Sequence, residues 1–341
     1  GSHPSDNLAG ILMLADHLDR QRSARGEPPV RVADVLDALI KAYEIQGCLS
    51  MENDFFARGI DHDVLTQVAS AAVLTHMLGG SRGQVVNAVS NAWMSCSQAA
   101  YRYAPNAGPR KSWACAWASR NAMHLALMAM QGETGYPTVL SAHRFGFYAS
   151  RFGGKRFTLP QPYADYVVRN SMFKFVSAGM HSQTAAECAF RLHPLVRDRL
   201  DDIERVEIFS HRALIDIMHK TGPLHNPADR DHCVEYVVAV GLLYGRFGPL
   251  EIEDDFAADP RIDRLRERMT IAEEPRFTHG YYAPEMRSSA NALQVVFRDG
   301  SSTGRIEAEY PLGHWRRRSD ALPLLRAKFA ASVARRGLAP A

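Results

Sequence analysis

The sequence predicts a mainly α-helical protein, in which an all-helical domain is followed by a smaller α+β domain. The first observation is that apolar residues recur at helical spacing in five successive segments of the first half. The second is a change, from about residue 148, to a mixture of helical and alternating segments. The third is a pair of alternating segments near the end of the chain, typical of a β-hairpin.

The helical segments of the first half cover residues 8–23, 32–49, 63–78, 83–98 and 111–130. The third of these is apolar nearly all round its surface, whereas a helix that faces solvent carries its apolar residues on one side. We therefore predict that this helix is buried among the others.

The second half begins after a loop at residues 151–162, which contains two adjacent glycines and two prolines and indicates the approach to a domain boundary. Beyond it we predict helices at 182–199, 228–244 and 322–336, a strand at 203–210, and hairpin strands at 292–298 and 305–310. Asn226 can cap the second helix, and Pro227 suits its first position.

The predicted domains are a helical domain at residues 1–172, an α+β lid domain at 173–312, and a C-terminal helical segment at 313–341 that returns to the helical domain. A cleft between two such domains is a usual place for a small-molecule site.

Composition excludes several classes of protein. The apolar content of 46% and the charged content of 23% are those of an ordinary globular protein. The net charge of +3 is too small to predict nucleic acid or a membrane surface as a partner. The apolar runs fall short of the ~18 residues that a membrane span needs. The five scattered cysteines, without a CxxC pair, favour a reducing cytoplasmic location and disfavour a cysteine-held metal site.

The first polar cluster is His3-Pro4-Ser5-Asp6-Asn7, at the start of the chain. Gly-Ser-His is also what a cleaved purification tag commonly leaves, and Ser5 or Asp6 would cap the following helix well. From these residues alone, a tag remnant with a helix cap is the favoured interpretation, and a functional His3 is the alternative.

The second cluster, Gly59-Ile60-Asp61-His62-Asp63, precedes the buried helix. His62 is a candidate acid or base, because imidazole titrates near neutral pH. Spacing alone favours a solvated loop histidine with Asp63 as the helix cap.

The third cluster, residues 101–112, places Arg110 and Lys111 in the first turn of a long helix. The backbone N–H groups of a helix start attract anions, and two cations there are unfavourable unless they bind something negative. This predicts a carboxylate or phosphate site. The alternative is that both side chains simply reach solvent.

The fourth cluster contains Lys174 and His181, which can face one pocket, although periodicity alone makes His181 a residue near a helix cap. His225 and His232 flank a short acidic run without a metal-binding pattern, so we predict no metal. A P-loop, a GxGxxG after a strand and a GxSxG elbow are all missing from the sequence, which disfavours nucleotide-dependent enzymes and serine hydrolases.

Seven stretches, read together, resemble the MmgE/PrpD family and follow the family order over almost the whole chain. They are "HPSDNLAGIL", "IKAYEIQGCL", "GIDHDVLTQVAS", "YRYAPNAGPRKSWA", "HSQTAAE", "GPLHNPADRDHCVEY" and "AEYPLGHWRRR". The resemblance implies an all-helical domain joined to an α+β lid, an active site in the cleft between them, and a homodimer. It assigns site histidines to His3, His62 and His181, and site lysines to Lys111 and Lys174.

The resemblance further implies a cofactor-free elimination of water from 2-methylcitrate in the methylcitrate cycle of propionate catabolism. Removing a proton beside a carboxylate builds negative charge, so the reaction needs cations together with an acid and a base. Arg110, Lys111 and Lys174 are the expected carboxylate clamps. His62 and His181 form the expected acid/base pair, with their order left open.

His3 is then expected to position the substrate or to move a proton, and Ser5 and Asp6 to contact the substrate. The family sequence normally extends before the histidine of the first cluster, so we expect the N-terminal part of the family domain to be missing. The resemblance also shifts His3 towards native sequence, leaving Gly1 and Ser2 as the foreign candidates.

Two alternatives remain open. One is a decarboxylase of cis-aconitate, which belongs to the same family. Its lid tyrosine has no clear counterpart here, where His211 stands instead, and this favours the dehydratase. The other is a truncated fragment that binds anions without turning them over.

Overall fold

The computed structural model describes residues 3–103 and 107–337. Gly1 and Ser2, on which the question of a tag remnant rests, and residues 104–106 of the third cluster lie outside the described residues. The described chain divides into two compact units, each with its own hydrophobic core. The first unit comprises residues 3–103 and 109–171, and the second comprises 107–108 and 172–337.

The first unit is helical, as predicted. Its helices are α1 (Leu8–Ala24), α2 (Val32–Met51), α3 (Asp63–Met77), α4 (Arg82–Ala92), α5 (Ala100–Tyr103), α6 (Arg110–Met130), α7 (Phe147–Arg151) and α8 (Tyr166–Asn170). The helix predicted at 83–98 ends six residues early. The chain leaves the helix there because Gln98 pairs with Ile60 in an isolated β-bridge, a long-range contact that helical spacing does not reveal.

Helix α3 forms the centre of the first core, as its apolar surface predicts. The helices α1, α2, α4 and α6 all pack against it. Helix α6 carries alanines at 114, 118, 122 and 126, which share one face and are buried. Because these side chains are small, the backbones of α3 and α6 can approach each other closely. The first turns of α3 and α6, which carry the second and third polar clusters, are thereby held in place.

The second unit mixes helices with one sheet. Its helices are α9 (Gln183–Val196), α10 (Arg212–Met218), α11 (Pro227–Arg230), α12 (Val234–Tyr244), α13 (Asp254–Ala257), α14 (Pro260–Arg266), α15 (Pro275–Tyr282) and α16 (Arg318–Ala334). Its strands are β1 (Ile203–Ser210), β2 (Met269–Glu273), β3 (Asn291–Phe297) and β4 (Ile306–Ala308), in the order β2-β1-β3-β4.

Strand β1 has the predicted bounds. It pairs with β2 in parallel and with β3 antiparallel, so Ser210 at its end lies opposite Asn291. The predicted hairpin is confirmed as β3 and β4, with Gly300 at φ 81° in the turn. Strand β2 was not predicted, because only one face of a five-residue edge strand is partly covered and its alternation is weak.

The helix predicted at 228–244 is two helices, α11 and α12. Asn226 caps α11 by accepting from the N–H of Asp229 (3.1 Å), as expected. The break follows at Asp231, where the carbonyl accepts the N–H of Gly179 (2.8 Å), a tertiary hydrogen bond. Residues 313–337 group with the second unit, and the return of this segment to the helical domain stays a prediction.

The start of the second unit is fixed by a close backbone contact. The N–H of Phe173 donates to the carbonyl of Gly313 (3.0 Å), and a Cβ at Gly313 would lie 1.7 Å from the Phe173 oxygen. Only glycine fits there. Within the described residues, none of the helices is long and apolar enough to cross a membrane.

Candidate active site

Asn7 anchors the first polar cluster. The 3₁₀ turn Pro4–Asn7 precedes α1, and the Asn7 side chain is fully buried. Its Nδ2 donates to Gln46 Oε1 on α2 (2.6 Å), and its Oδ1 accepts from Ser70 Oγ on α3 (2.7 Å). These two bonds fix the turn against the helical core, because a buried amide without partners is unfavourable.

His3 caps this turn. Its Nδ1 accepts the N–H of Ser5 (3.3 Å) and lies 2.8 Å from Ser5 Oγ, so the proton of the neutral ring belongs on Nε2. The ring packs edge-on against Tyr43, with centroids 5.7 Å apart. The expectation that Ser5 or Asp6 caps α1 is wrong, since Asn7 holds the cap position without a side-chain hydrogen bond.

Asp61 and Arg102 form a buried ion pair beside His62. The guanidinium donates to both carboxylate oxygens, from Nε to Oδ2 and from Nη2 to Oδ1 (3.1 Å). Burial opposes ionisation of Asp61, but the hydrogen bonds from Arg102 together with the charges of His62 and Arg102 lower its pKa. His62 Nδ1 lies 3.9 Å from Asp61 Oδ1. A fixed carboxylate thus lies within reach of the imidazole.

His62, Asp6 and Cys115 converge. They come from the start of α3, the turn before α1 and the second turn of α6, and one ligand-type atom of each lies within 4.8 Å of the others. Burial and the hydrogen bond to Asp6 raise the pKa of the Cys115 thiol. Two predicted site residues, Asp6 and His62, are therefore neighbours.

Asp63, the first residue of α3, is buried rather than a solvated cap. Burial and the neighbouring negative charge of Asp61 raise its pKa to about 6, against a hydrogen bond to Ser97 that lowers it. The backbone N–H of Asp63 donates to Asp61 Oδ1 (2.9 Å). The expectation of a simple helix cap at this position is wrong.

Arg110 and Lys111 occupy the first turn of α6, as predicted. This turn contains no acidic residue to offset their charge. The Arg110 guanidinium lies over the rings of Tyr101 (5.3 Å) and Trp113 (4.6 Å), so it is held by aromatic faces rather than extended into solvent. The arrangement fits an anion-binding helix start.

In the second unit, Gln183 positions the segment that carries Lys174. Gln183 Oε1 accepts the N–H groups of Phe175 (3.2 Å) and Val176 (3.1 Å), which ties this segment to the first turn of α9. His181 lies in the 3₁₀ turn directly before α9. Lys174 is exposed, and its charge acts on His181.

His181 belongs to a cluster of three rings with His211 and Tyr281. The centroid of His181 lies 5.2 Å from that of His211 and 5.5 Å from that of Tyr281. Burial, followed by the charges of His211, His232 and Lys174, lowers the pKa of His181 far below its usual value. His181 is neutral at pH 7, and its Nδ1 has no hydrogen-bond partner among the described residues.

His211 is fixed at the start of α10. Its Nδ1 accepts the N–H of Leu214 (3.2 Å), and its ring stacks on Tyr281 at a centroid distance of 4.5 Å. Burial lowers the pKa of His211 to about 4. The cluster therefore offers two neutral imidazoles and a phenol ring.

The comparisons with known proteins agree with this architecture. Residues 1–160 match the model of the MmgE/PrpD N-terminal domain, and residues 176–339 match the MmgE/PrpD C-terminal domain. The chain belongs to the MmgE/PrpD family. Among its relatives, the 2-methylcitrate dehydratase of Salmonella typhi is 49% identical over 98% of this chain and 71% of the relative. Those of Cupriavidus necator and Escherichia coli (strain K12) are 50% and 48% identical, over 98% of this chain and 70% of each relative.

Four residues of this MmgE/PrpD site escaped the sequence reasoning. Asp61 was visible inside the second cluster but received no role. Arg102 was visible inside the third cluster but also received no role, because Asp61 lies 41 residues away. Cys115 carried no signal, because Asp6 and His62 come from two distant segments. Tyr281 lies on a helix that was not predicted. Only long-range contacts reveal these residues.

Proposed function

We propose that this MmgE/PrpD protein is a hydro-lyase that converts 2-methylcitrate into 2-methyl-cis-aconitate, in the methylcitrate cycle of propionate catabolism. The observation that carries the proposal is the identity of 48–50% to 2-methylcitrate dehydratases over 98% of the chain. We further propose that it works in the cytoplasm as a homodimer and without a cofactor.

The reaction breaks a C–H bond and a C–O bond. A base takes the proton next to a carboxylate, the electron pair forms the C=C bond, and the hydroxyl leaves as water with a proton from an acid. The substrate carries three carboxylates and gains further negative charge as the proton departs. We assign Arg110, Lys111 and Lys174 to the carboxylates, with Arg110 able to bind one through two parallel hydrogen bonds.

We assign the proton acceptor to His181 and the proton donor to His62. His181 enters the reaction neutral, and the carboxylates of a bound substrate would raise its affinity for a proton. His62 has Asp61 beside Nδ1, where a fixed carboxylate stabilises a protonated imidazole. We assign His3 to substrate positioning, with Ser5 and Asp6 as further substrate contacts.

The test is to incubate the purified protein with racemic 2-methylcitrate and to identify the product by ultraviolet absorbance and mass spectrometry. We expect an acid lighter by one water with a C=C bond conjugated to a carboxylate. Carbon dioxide and itaconate from cis-aconitate, with no product from 2-methylcitrate, would identify a decarboxylase instead. Thermal stabilisation by citrate-like acids without any product would identify a binding protein. Either outcome overturns the proposal.

A further inference from the structure

Asp6, His62 and Cys115 lie close enough together to bind a metal ion, which the elimination of water described above does not require. Carboxylate, imidazole and thiolate are the three side-chain ligands of Zn²⁺. Around a tetrahedral Zn²⁺ with bonds of about 2.0–2.3 Å, ligand atoms are about 3.3–3.8 Å apart. The three atoms here lie within 4.8 Å of one another, so side-chain adjustments of about an ångström would bring them to one ion.

A carboxylate lies near His62, as is usual for a histidine that binds a metal ion. Such histidines commonly donate their second ring nitrogen to a carboxylate, which fixes the ring. Asp61 lies 3.9 Å from His62 Nδ1, and Arg102 holds it rigidly with two hydrogen bonds. A movement of the ring by about an ångström towards Asp61 would form such a bond.

The charges also balance. Arg102 neutralises Asp61 within their ion pair. Asp6 and a Cys115 thiolate together carry two negative charges, which match a divalent ion. With three protein ligands the ion would keep a fourth position for water or a substrate carboxylate, as in open zinc sites.

We propose that Asp6, His62 and Cys115 form a binding site for a thiophilic divalent cation, represented by Zn²⁺, and that its occupation inhibits the enzyme. Binding forms a Zn–S bond, and the thiol proton of Cys115 passes to solvent. No electron transfer is involved. The ion takes a lone pair of the His62 imidazole, so the ring can no longer transfer a proton. The inhibition rests on the proposed function, whereas the binding does not.

The binding test uses Co²⁺, whose bond to a thiolate produces a near-ultraviolet absorption band that Zn²⁺ abolishes by displacement. We expect the reduced, chelator-free protein to develop this band with one equivalent of Co²⁺. Cys115→Ser should abolish it, and Asp6→Asn should weaken Co²⁺ binding at least about 10-fold. Cys96→Ser, which changes another partly buried cysteine of the same unit, should leave it unchanged. A band that survives Cys115→Ser, or the absence of a band in the wild-type protein, would overturn the proposal.

The activity test uses Zn²⁺ and 2-methylcitrate. We expect Zn²⁺ to inhibit turnover and EDTA to restore it. In Cys115→Ser, whatever its rate without metal, the Zn²⁺ concentration that halves this rate should rise at least about 10-fold. Equal inhibition of the wild type and Cys115→Ser would contradict the inhibitory role. Matched circular dichroism spectra check that both variants are folded. A cobalt band in a protein that has no turnover would overturn the proposed function and leave the metal site standing.

Discussion

The two units hold their candidate site histidines in opposite electrostatic surroundings. In the first unit, His62 lies beside the ionised carboxylate of Asp61, which Arg102 fixes in place. In the second, burial and neighbouring positive charges keep His181 neutral. Enzymes separate acid from base by giving similar side chains different environments. The difference between the surroundings of His62 and His181 therefore supports our proposal that His62 donates a proton and His181 accepts one.

The strongest way to disturb the surroundings of His62 is Arg102→Met, which removes the partner of Asp61. Removing one partner of a buried ion pair leaves an uncompensated charge, so we expect the free energy of unfolding to fall by about 3–5 kcal/mol in urea titration. Adding Asp61→Asn should recover part of that loss, because the buried charge is then gone.

Arg20→Met is the matched control. Arg20 pairs with Asp16 on the surface, with its side chain 78% exposed. The free energy of unfolding should stay within the error of the urea titration, because water screens an exposed ion pair. Similar losses in the two variants would show that the Asp61–Arg102 pair does not stabilise the segment that carries His62.

The ring cluster of His181, His211 and Tyr281 in the second unit should lose stability in acid. The pKa of His211 is about 4 in the folded protein and 6.5 ordinarily, so the unfolded state binds the proton first. The stability contributed by neutral His211 is complete above pH 6.5 and is lost as the pH falls towards 4. The loss amounts to about 3 kcal/mol in the free energy of unfolding.

His211→Asn removes this titration and keeps a side chain that can accept the N–H of Leu214. We expect the difference in unfolding free energy between wild type and variant to change by about 3 kcal/mol between pH 7 and 4. His17→Asn, on the exposed surface of α1, should run parallel to the wild type. Parallel curves for both variants would contradict a buried neutral His211.

Asp63, next to His62 in the first unit, should change the stability with pH in the opposite direction. The pKa of Asp63 is raised from 3.8 to about 6, so the folded protein binds its proton first and loses stability as the pH rises through this window. Asp63→Asn should therefore increase the free energy of unfolding at pH 8, by about 1–3 kcal/mol, and the gain should vanish near pH 4. Asp16→Asn, at an exposed position of α1, is the control and should show no such gain. An equal gain in both variants would contradict an unfavourable buried charge at Asp63.

The sequence predicted those helices and strands that show a clear local periodicity of apolar residues. The helices predicted at 8–23 and 111–130 and the strand predicted at 203–210 follow from apolar spacing, and the structure has each within one residue of those bounds. The positions of His62 and His181 at helix starts also followed, because polar clusters interrupt apolar segments there.

The features that the sequence did not predict depend on contacts between residues that lie far apart in the chain. Arg102 meets Asp61 across 41 positions, and the Asp231 carbonyl that ends α11 accepts from Gly179. Cysteines without a CxxC pair appeared unsuited to metal, yet Cys115 meets its potential co-ligands from two other segments. Neither spacing nor composition records such pairs.

The most direct measurement is the turnover of 2-methylcitrate by His62→Ala beside His17→Ala. Loss of a proton-transferring side chain lowers the rate by about 10²–10⁴-fold. We expect kcat of His62→Ala to fall by that factor with an unchanged unfolding midpoint, and kcat of His17→Ala to stay at the wild-type value. Wild-type turnover by a folded His62→Ala would contradict the assignment of this histidine to the reaction.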